Sequence, residues 1–247
     1  MKSILSAIAG SFLLATAAQA TSITVSTLDA TAHNVGFGTG TNIGEDFEAL
    51  GQSMGEGEVG LSLATAVGTF STIGGVGSGG TVTQLTNNTG EQLALRDGSV
   101  FGRDNTTPGT GAWFLDSNDT FGMIWNVDLG GALFNSVSFT LSDASDTGAY
   151  MRISADGEEF ETRTGGKLSN GNELLVTVNF GEAVNTASII LGNFQQDGTT
   201  YKVNDGFSVD GLQVSAVPVP ASVLLFGTAF AGFGVMARRK QKAAARV

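Results

Sequence analysis

Hydrophobic and polar residues alternate along three stretches of the chain, at 123–129, 133–141 and 173–180. In the first, Met123, Trp125, Val127 and Leu129 fall on one face. In the second, the apolar face is formed by Leu133, Val137, Phe139 and Leu141, and in the third by Leu174, Val176, Val178 and Phe180. A two-residue period with one buried face is typical of a strand in an antiparallel sheet. The pattern predicts an all-β fold, an antiparallel β-sandwich of jelly-roll type.

The rest of the central region adds a bulge, a short helix and a loop to this picture. The last apolar run, 207–214, changes phase at Gly211, which predicts a β-bulge at that glycine. Residues 46–53 can form one or two helical turns, and the glycine-rich stretch 71–80 is typical of a loop. We expect residues 21–215 to form one exported domain.

The N-terminal 20 residues have the pattern of a signal peptide. Lys2 supplies the positive start, and an apolar run leads to Ala18-Gln19-Ala20, a small-x-small cleavage pattern. The mature chain is therefore expected to begin at Thr21.

The C-terminal segment 216–247 has three parts. The motif Val217-Pro218-Val219-Pro220-Ala221 comes first, an uncharged apolar stretch covers 221–237, and Arg238, Arg239 and Lys240 follow directly. The stretch is just long enough for a transmembrane helix, and trailing cations hold their end in the cytoplasm. This arrangement predicts one C-terminal transmembrane helix with the domain facing outward.

The three-part tail, paired with a signal peptide, resembles the PEP-CTERM class of bacterial sorting signals. The usual family pattern has Glu between the prolines, and Val219 stands there, which makes the tail closer to the related VPLPA-type variant. The resemblance implies that an exosortase, an integral-membrane cysteine transpeptidase, cuts near the proline motif. It also implies an association with exopolysaccharide and biofilm matrix.

Charge separates the domain from its tail. All 23 acidic residues lie between Thr21 and Val217 together with six basic residues, so this part has a formal charge of −17. A domain this acidic repels nucleic acid, and we exclude a nucleic-acid partner. The chain has no cysteine, which excludes disulfides, thiolate metal sites and cysteine nucleophiles.

Clusters of Asp and Asn offer the oxygen ligands that Ca²⁺ prefers. They occur at 116–119, 143–146 and 204–210, and the candidate ligands are Asp116, Asn118, Asp119, Asp205 and Asp210. Loops of a β-sandwich can bring such residues together from distant positions. The same residues are also typical of solvated turns in an acidic extracellular protein.

The sequence is compatible with three functions. The leading expectation is a non-enzymatic protein of the cell surface or extracellular matrix that contributes to adhesion or exopolysaccharide binding, with Ca²⁺ as an optional aid. A glycan-active hydrolase or lyase is the second, with paired carboxylates at Glu56 and Glu58 or among Glu158, Glu159 and Glu161. The third is a permanently anchored type I inner-membrane protein. Trp113 and Phe114 are candidates for stacking on sugar rings.

Overall fold

The computed structural model describes residues 20–77, 88–146 and 148–217. Most of the predicted signal peptide, including Ala18, lies outside these residues. So do Pro218, Val219, Pro220 and Ala221 of the sorting motif, the predicted helix 221–237, and Arg238, Arg239 and Lys240. No helix within the described ranges combines the length and the apolar character that a membrane crossing needs.

The described chain is built mainly from antiparallel strands. In chain order they are β1 (Ser22–Thr27), β2 (Asn42–Glu45), β3 (Gly57–Glu58), β4 (Leu63–Thr65), β5 (Gly68–Thr72), β6 (Ala94–Asp97), β7 (Trp113–Asp116), β8 (Gly122–Asp128), β9 (Phe134–Ser142), β10 (Tyr150–Ala155), β11 (Glu158–Glu161), β12 (Glu173–Val184), β13 (Thr186–Phe194) and β14 (Ser208–Ala216). Two short α-helices, α1 (Ala30–Gly36) and α2 (Glu48–Met54), and a 3₁₀ turn at Thr162–Thr164 complete the elements. The helix expected at 46–53 is thus confirmed as α2.

The strands form two sheets that pack face to face. The larger sheet has the order β1-β12-β9-β14-β7-β6-β3, with β2 also paired to β14, and the smaller has the order β11-β10-β13-β8-β5-β4. The predicted antiparallel β-sandwich is confirmed.

An aromatic cluster joins the two sheets at the centre of the core. Trp125 of β8 stacks on Phe70 of β5 with centroids 5.5 Å apart, and it meets Phe139 of β9 edge-on at 5.8 Å. All three side chains are fully buried. The Trp125 indole N–H also donates to the Val67 carbonyl at 3.1 Å, so the ring is buried without an unsatisfied donor.

The start of β9 departs from the predicted phase. Leu133, expected on the buried face, precedes the strand and is 46% exposed, whereas Phe134 is fully buried. Both neighbouring strands, β12 and β14, change register where they reach Phe134, and these irregularities break the strict alternation. Phe134 therefore turns inward and packs edge-on against Phe180 at 5.7 Å.

The predicted bulge at Gly211 is confirmed and supports a layer over the larger sheet. Gly211 has φ +55°, and the pairing of β14 with β9 shifts between Asp210 and Gln213. Helix α1 lies on this bulge, with His33 Nε2 3.0 Å from the Gly211 carbonyl oxygen. Burial lowers the pKa of His33, which favours a neutral ring at this position.

The strand directions define two opposite ends of the sandwich. One end, called the cleft end, carries the loops 117–121, 143–146 and 195–207, which adjoin the start of β14. The opposite end, called the tail end, carries the loop 129–133, the turn at 156–157, and Val217 after the end of β14.

Candidate functional site

An acidic cleft of about 330 Å³ opens at the cleft end. Its floor holds Arg103 and the buried carboxylates of Asp119, Asp143 and Asp205. Its rim is formed by more accessible side chains, which are Phe101, Asp146, Asn170 and Asn204. Phe101 is 63% exposed.

The cleft joins residues from all three Asp/Asn clusters of the sequence. Asp119 comes from the loop after β7, Asp143 and Asp146 from the loop after β9, and Asp205 from the loop before β14. These loops meet because β7, β9 and β14 are neighbours in one sheet with Asp116 and Ser142 both opposite Ser208.

The backbone of the cleft loops explains why Asp and Asn occur there. Asn118, Asp119, Asp143 and Asn204 all have positive φ, between 57° and 63°. Asp and Asn tolerate this left-handed conformation better than other residues with a side chain, because their short polar groups bond to the local backbone. The residue types therefore serve the turns as well as the cleft.

Two buried arginines hold the floor of the cleft in place. Asp116 accepts from Arg96 Nε at 3.1 Å and from Arg103 Nη1 at 2.8 Å, and all three side chains are almost inaccessible. Arg103 Nη1 also lies 3.0 Å from Asp119 Oδ1. Burial lowers the pKa of Arg103, but the charges of Asp116 and Asp119 outweigh this effect and raise it. Such a buried network stabilises the loop geometry only while every charge keeps its partner.

Asp143 is a cleft carboxyl with altered acidity. Burial raises its pKa to about 6, and the negative charges of Asp146 and Asp205 add to this effect. The Gly171 N–H, which donates to Asp143 Oδ1 at 2.6 Å, opposes it only in part. The cleft therefore contains a carboxyl that is partly protonated near pH 6.

The structure separates the five candidate calcium ligands. Asp119 and Asp205 line the cleft, whereas Asp116 and Asn118 lie behind it with Arg96, whose Nη2 donates to Asn118 Oδ1 at 2.8 Å. Asp205 also accepts from the backbone N–H groups of Gly148 and Ala149. In the part of the chain that the structure describes, no three acidic or histidine side chains are grouped to hold a metal ion.

Asp210, the fifth candidate, lies away from the cleft on the outer face of β14. It accepts from the backbone N–H groups of Thr106 at 2.8 Å and Thr107 at 2.7 Å, and so fastens the segment 105–107 over the larger sheet. Burial raises its pKa to about 8 in spite of these donors. The geometry gives Asp210 a structural role.

An aromatic stack beside the cleft was not predicted. Tyr201, 38% exposed, lies between Phe194 at 4.5 Å and Phe121 at 5.2 Å. Tyr201 precedes Asn204 by three residues, and Phe121 follows Asp119 by two, so both rings lie on the loops that form the cleft. Isolated aromatics in polar loops carry no periodic pattern, and only their proximity to Asp119 and Asn204 in the sequence could have indicated them.

The aromatics that the sequence suggested for sugar stacking lie elsewhere. Phe114 is fully buried. Trp113 is half-buried and packs on α2 so closely that a Cβ at Gly51 would lie 1.9 Å from Trp113 Cδ2. Both rings belong to the packing of the domain.

Most of the suggested glutamates are engaged in other contacts. Glu58 accepts from Thr89 Oγ1 and from the Gly90 N–H, and Glu56 lies 4.0 Å from Arg96. The hydrogen bond from Arg152 lowers the pKa of Glu161, which is the opposite of what a general acid needs.

A larger cavity of about 660 Å³ lies at the tail end. Asp128, Asp156 and Glu182 are among its lining residues, and the one aromatic side chain in its lining, Phe180, is 3% exposed. Among its described lining residues, this cavity therefore has no exposed aromatic ring, in contrast to the cleft end.

Comparison with known proteins identifies the C-terminal segment of the chain. The fold of the described residues is a two-sheet antiparallel β-sandwich. The PEP-CTERM protein-sorting motif matches residues 216–240. The chain therefore carries an envelope-sorting signal of exported proteins, and this signal implies processing by an exosortase-type membrane enzyme.

No curated protein sequence matches significantly. Among solved structures, the chain is similar to the CBM22-1 and GH10 modules of the Clostridium thermocellum endo-1,4-β-D-xylanase 10B in complex with xylohexaose, at 12% identity and a TM-score of 0.26. The match covers 50% of this chain and 25% of that one, so the chain spans about a quarter of that structure's length.

Proposed function

We propose that the exported domain is a non-enzymatic glycan-binding module of the cell surface or extracellular matrix, with the acidic cleft as its binding site. One observation carries the proposal: a single cleft combines carboxylate and amide acceptors with an exposed aromatic ring. Carboxylates and amides accept hydrogen bonds from sugar hydroxyls, and an aromatic face packs on the apolar face of a sugar ring. Asp146, Asn170 and Asn204 supply the first chemistry, and Phe101 supplies the second. Tyr201 adds a second exposed ring on the loop that also carries Asn204.

The preformed geometry of the cleft favours binding. Arg96 and Arg103 fix the floor through Asp116, and the stack of Phe194 and Phe121 fixes the orientation of Tyr201. A site that is ordered before its ligand arrives loses less conformational entropy on binding.

The charge of the domain narrows the ligand class to neutral glycans. A formal charge of −17 between Thr21 and Val217 repels polyanions such as uronate polymers. The four cleft carboxylates add a local repulsion. We expect neutral polysaccharide to bind in the absence of divalent cations, and uronate-rich polysaccharide to bind only when Ca²⁺ screens or bridges the carboxylates.

The direct test uses the full chain in a detergent without a sugar headgroup. Affinity electrophoresis measures its retardation by neutral and uronate-rich polysaccharides, with and without Ca²⁺. Phe101→Ala should weaken retardation by neutral glycan about tenfold, equal to about 1.4 kcal/mol. Leu61→Ala is the matched control, because Leu61 is 84% exposed and is not among the residues lining the cleft. Equal loss in both variants, or no retardation of the unaltered chain by any glycan, would overturn the proposal.

The pKa of Asp143 is the observation that favours a glycan hydrolase as the second candidate. A protonated carboxyl near other carboxylates is the arrangement of a glycosidase acid and its partner. The assay is release of reducing ends from the glycans that bind, measured between pH 5 and 7. The binding proposal predicts no release by either the unaltered chain or Asp143→Asn. Release that Asp143→Asn abolishes would establish the enzyme instead.

A further inference from the structure

We infer that the sandwich stands on the membrane in one orientation while the chain is anchored, with the tail end against the bilayer and the acidic cleft facing away from it. The inference rests on the C-terminal transmembrane helix that the sequence predicts at 221–237, and on the cleft of the proposed function. It goes beyond glycan binding, because it states where the cleft is presented before the tail is cut.

Strand β14 connects the two ends directly. Its first residue, Ser208, pairs with Asp116 and Ser142 beside the cleft, and its last, Ala216, pairs with Phe134 at the tail end. Nine residues in a strand extend about 30 Å. The sorting motif therefore leaves the domain at the end opposite to the cleft.

The domain holds the chain up to the first residue of the motif. The Ala216 N–H donates to the Thr41 carbonyl at 3.2 Å, and the Val217 N–H donates to the Leu133 carbonyl at 2.8 Å. Residues 218–220 then separate Val217 from the apolar stretch that begins at Ala221. Whatever their conformation, they cover at most about 14 Å between the Cα atoms of Val217 and Ala221. A tether this short is less than half the length of β14, so the domain cannot turn over to place its cleft end, in place of its tail end, against the bilayer.

The start of the mature chain gives independent support. Thr21, the expected first residue after signal-peptide cleavage, lies at the tail end, where its hydroxyl donates to Asp156 Oδ2 at 2.9 Å. Both apolar segments of the precursor, 4–17 and 221–237, thus connect to the same end of the domain. A membrane that holds either segment lies on that side.

The contact with the bilayer is set by the tether and not by affinity. Asp128, Asp156 and Glu182 line the cavity at the tail end, and their charges do not favour an anionic lipid surface. The membrane-facing end therefore rests near the headgroups, and the cleft is open to long glycan chains both before and after processing.

Single-cysteine labelling tests the orientation, because the chain contains no native cysteine. Leu133→Cys at the tail end and Thr199→Cys at the cleft end each carry a fluorophore, and both side chains are exposed. The full chain is reconstituted in phosphatidylcholine vesicles that contain a lipid with a nitroxide on its headgroup. We expect quenching at position 133 to be at least threefold stronger than at position 199. Thr186→Cys, also exposed at the tail end, repeats the measurement should Leu133→Cys not fold.

A second variant separates tethering from other causes. A flexible insertion of 20 Gly and Ser residues between Val217 and Pro218 should reduce the quenching at position 133 to the level at position 199. Equal quenching at both ends of the uninserted chain, stronger quenching at position 199, or no effect of the insertion would overturn the inference. None of these measurements uses a glycan, so they test the orientation independently of whether the cleft binds glycan.

Discussion

The raised pKa of Asp143 makes the stability of the folded domain depend on pH. Its pKa is raised to about 6, so between about pH 4 and pH 6 the folded chain retains a proton that the unfolded chain has released. This carboxyl therefore lowers the free energy of unfolding as the pH rises through that window, and the loss is complete above pH 6.

Asp143→Asn should remove this contribution. Asn keeps an acceptor for the Gly171 N–H and tolerates the left-handed backbone, φ +61°, at this position. We expect the free energy of unfolding of the variant to equal that of the unaltered protein near pH 4. At pH 7 it should be higher by roughly 1 kcal/mol, a figure reduced for solvent screening. Urea denaturation at pH 4, 5, 6 and 7 measures the difference in the free energy of unfolding between the two proteins. Asp210 is present in both, so its titration cancels in this difference. A constant difference across this range would contradict the assignment.

Asp116 is the shared partner of the two buried arginines, Arg96 and Arg103, that lie behind the cleft and beneath it. Removing its carboxylate leaves Arg96 and Arg103 without their shared partner in a site that is inaccessible to solvent. Asp116→Ala should lower the free energy of unfolding by about 3–5 kcal/mol. Glu182→Ala, an exposed acidic position at the tail end, should change it by less than about 0.5 kcal/mol. Similar values for the two variants in urea denaturation would show that the arginine network adds no stability.

At the scale of elements, the bulge of β14 joins the larger sheet to the layer that covers it. A Cβ at Gly211 would lie 2.5 Å from both His33 Nε2 and Thr107 Oγ1, and the backbone there is left-handed. Gly211→Ala should therefore combine backbone strain with displacement of α1 and of the segment 105–107.

The matched control for this substitution is Gly130, which has a similar φ of +68° with no described atom within 4 Å of its Cβ position. Gly130→Ala should cost about 1 kcal/mol from strain alone. Gly211→Ala should cost about 3–4 kcal/mol, because the overpacking adds to that strain. Thermal denaturation of the two variants compares them, and equal shifts would mean that α1 does not depend on the bulge.

The elements that can be predicted from the sequence are those with one buried face and a regular hydrophobic period. Strand β8 was predicted from Met123, Trp125 and Val127, and the bulge from the change of phase at Gly211. Helix α1 was missed because its seven residues, beginning after the Asp29 cap, are too few for a helical period to emerge. The phase at Phe134 was missed because irregular pairing, which depends on distant strands, decides it.

At the scale of the whole molecule, the cleft depends on contacts that a linear pattern does not contain. The clusters at 116–119, 143–146 and 204–210 were visible as Asp- and Asn-rich loops. These loops converge because β9, β14 and β7 are neighbours in the larger sheet. Asp210 does not line the cleft, because it lies on the outer face of β14. Arg103 was missed because only the fold places a cation under these loops.

Sorting also makes a prediction for the whole chain. Mass spectrometry of the protein from its native host should find a C-terminus between Val217 and Ala221, as processing at the proline motif requires. Strand β14 ends at Ala216, so such a cut leaves the strand and the hydrogen bond from Val217 to Leu133 intact. The released domain should therefore keep the stability of the precursor. Detection of the intact peptide that ends at Val247 would instead indicate a permanent membrane anchor.

The most direct test of the proposal that the cleft binds glycan compares two charge-matched variants at opposite ends of the sandwich. Asp146→Asn neutralises a carboxylate at the rim of the cleft, and Glu182→Gln neutralises one at the tail end. Calorimetric titration of the full chain with a neutral oligosaccharide should give a dissociation constant at least fivefold weaker for Asp146→Asn and unchanged for Glu182→Gln. Equal affinities in the two variants, or a loss confined to Glu182→Gln, would contradict the assignment of the cleft as the binding site.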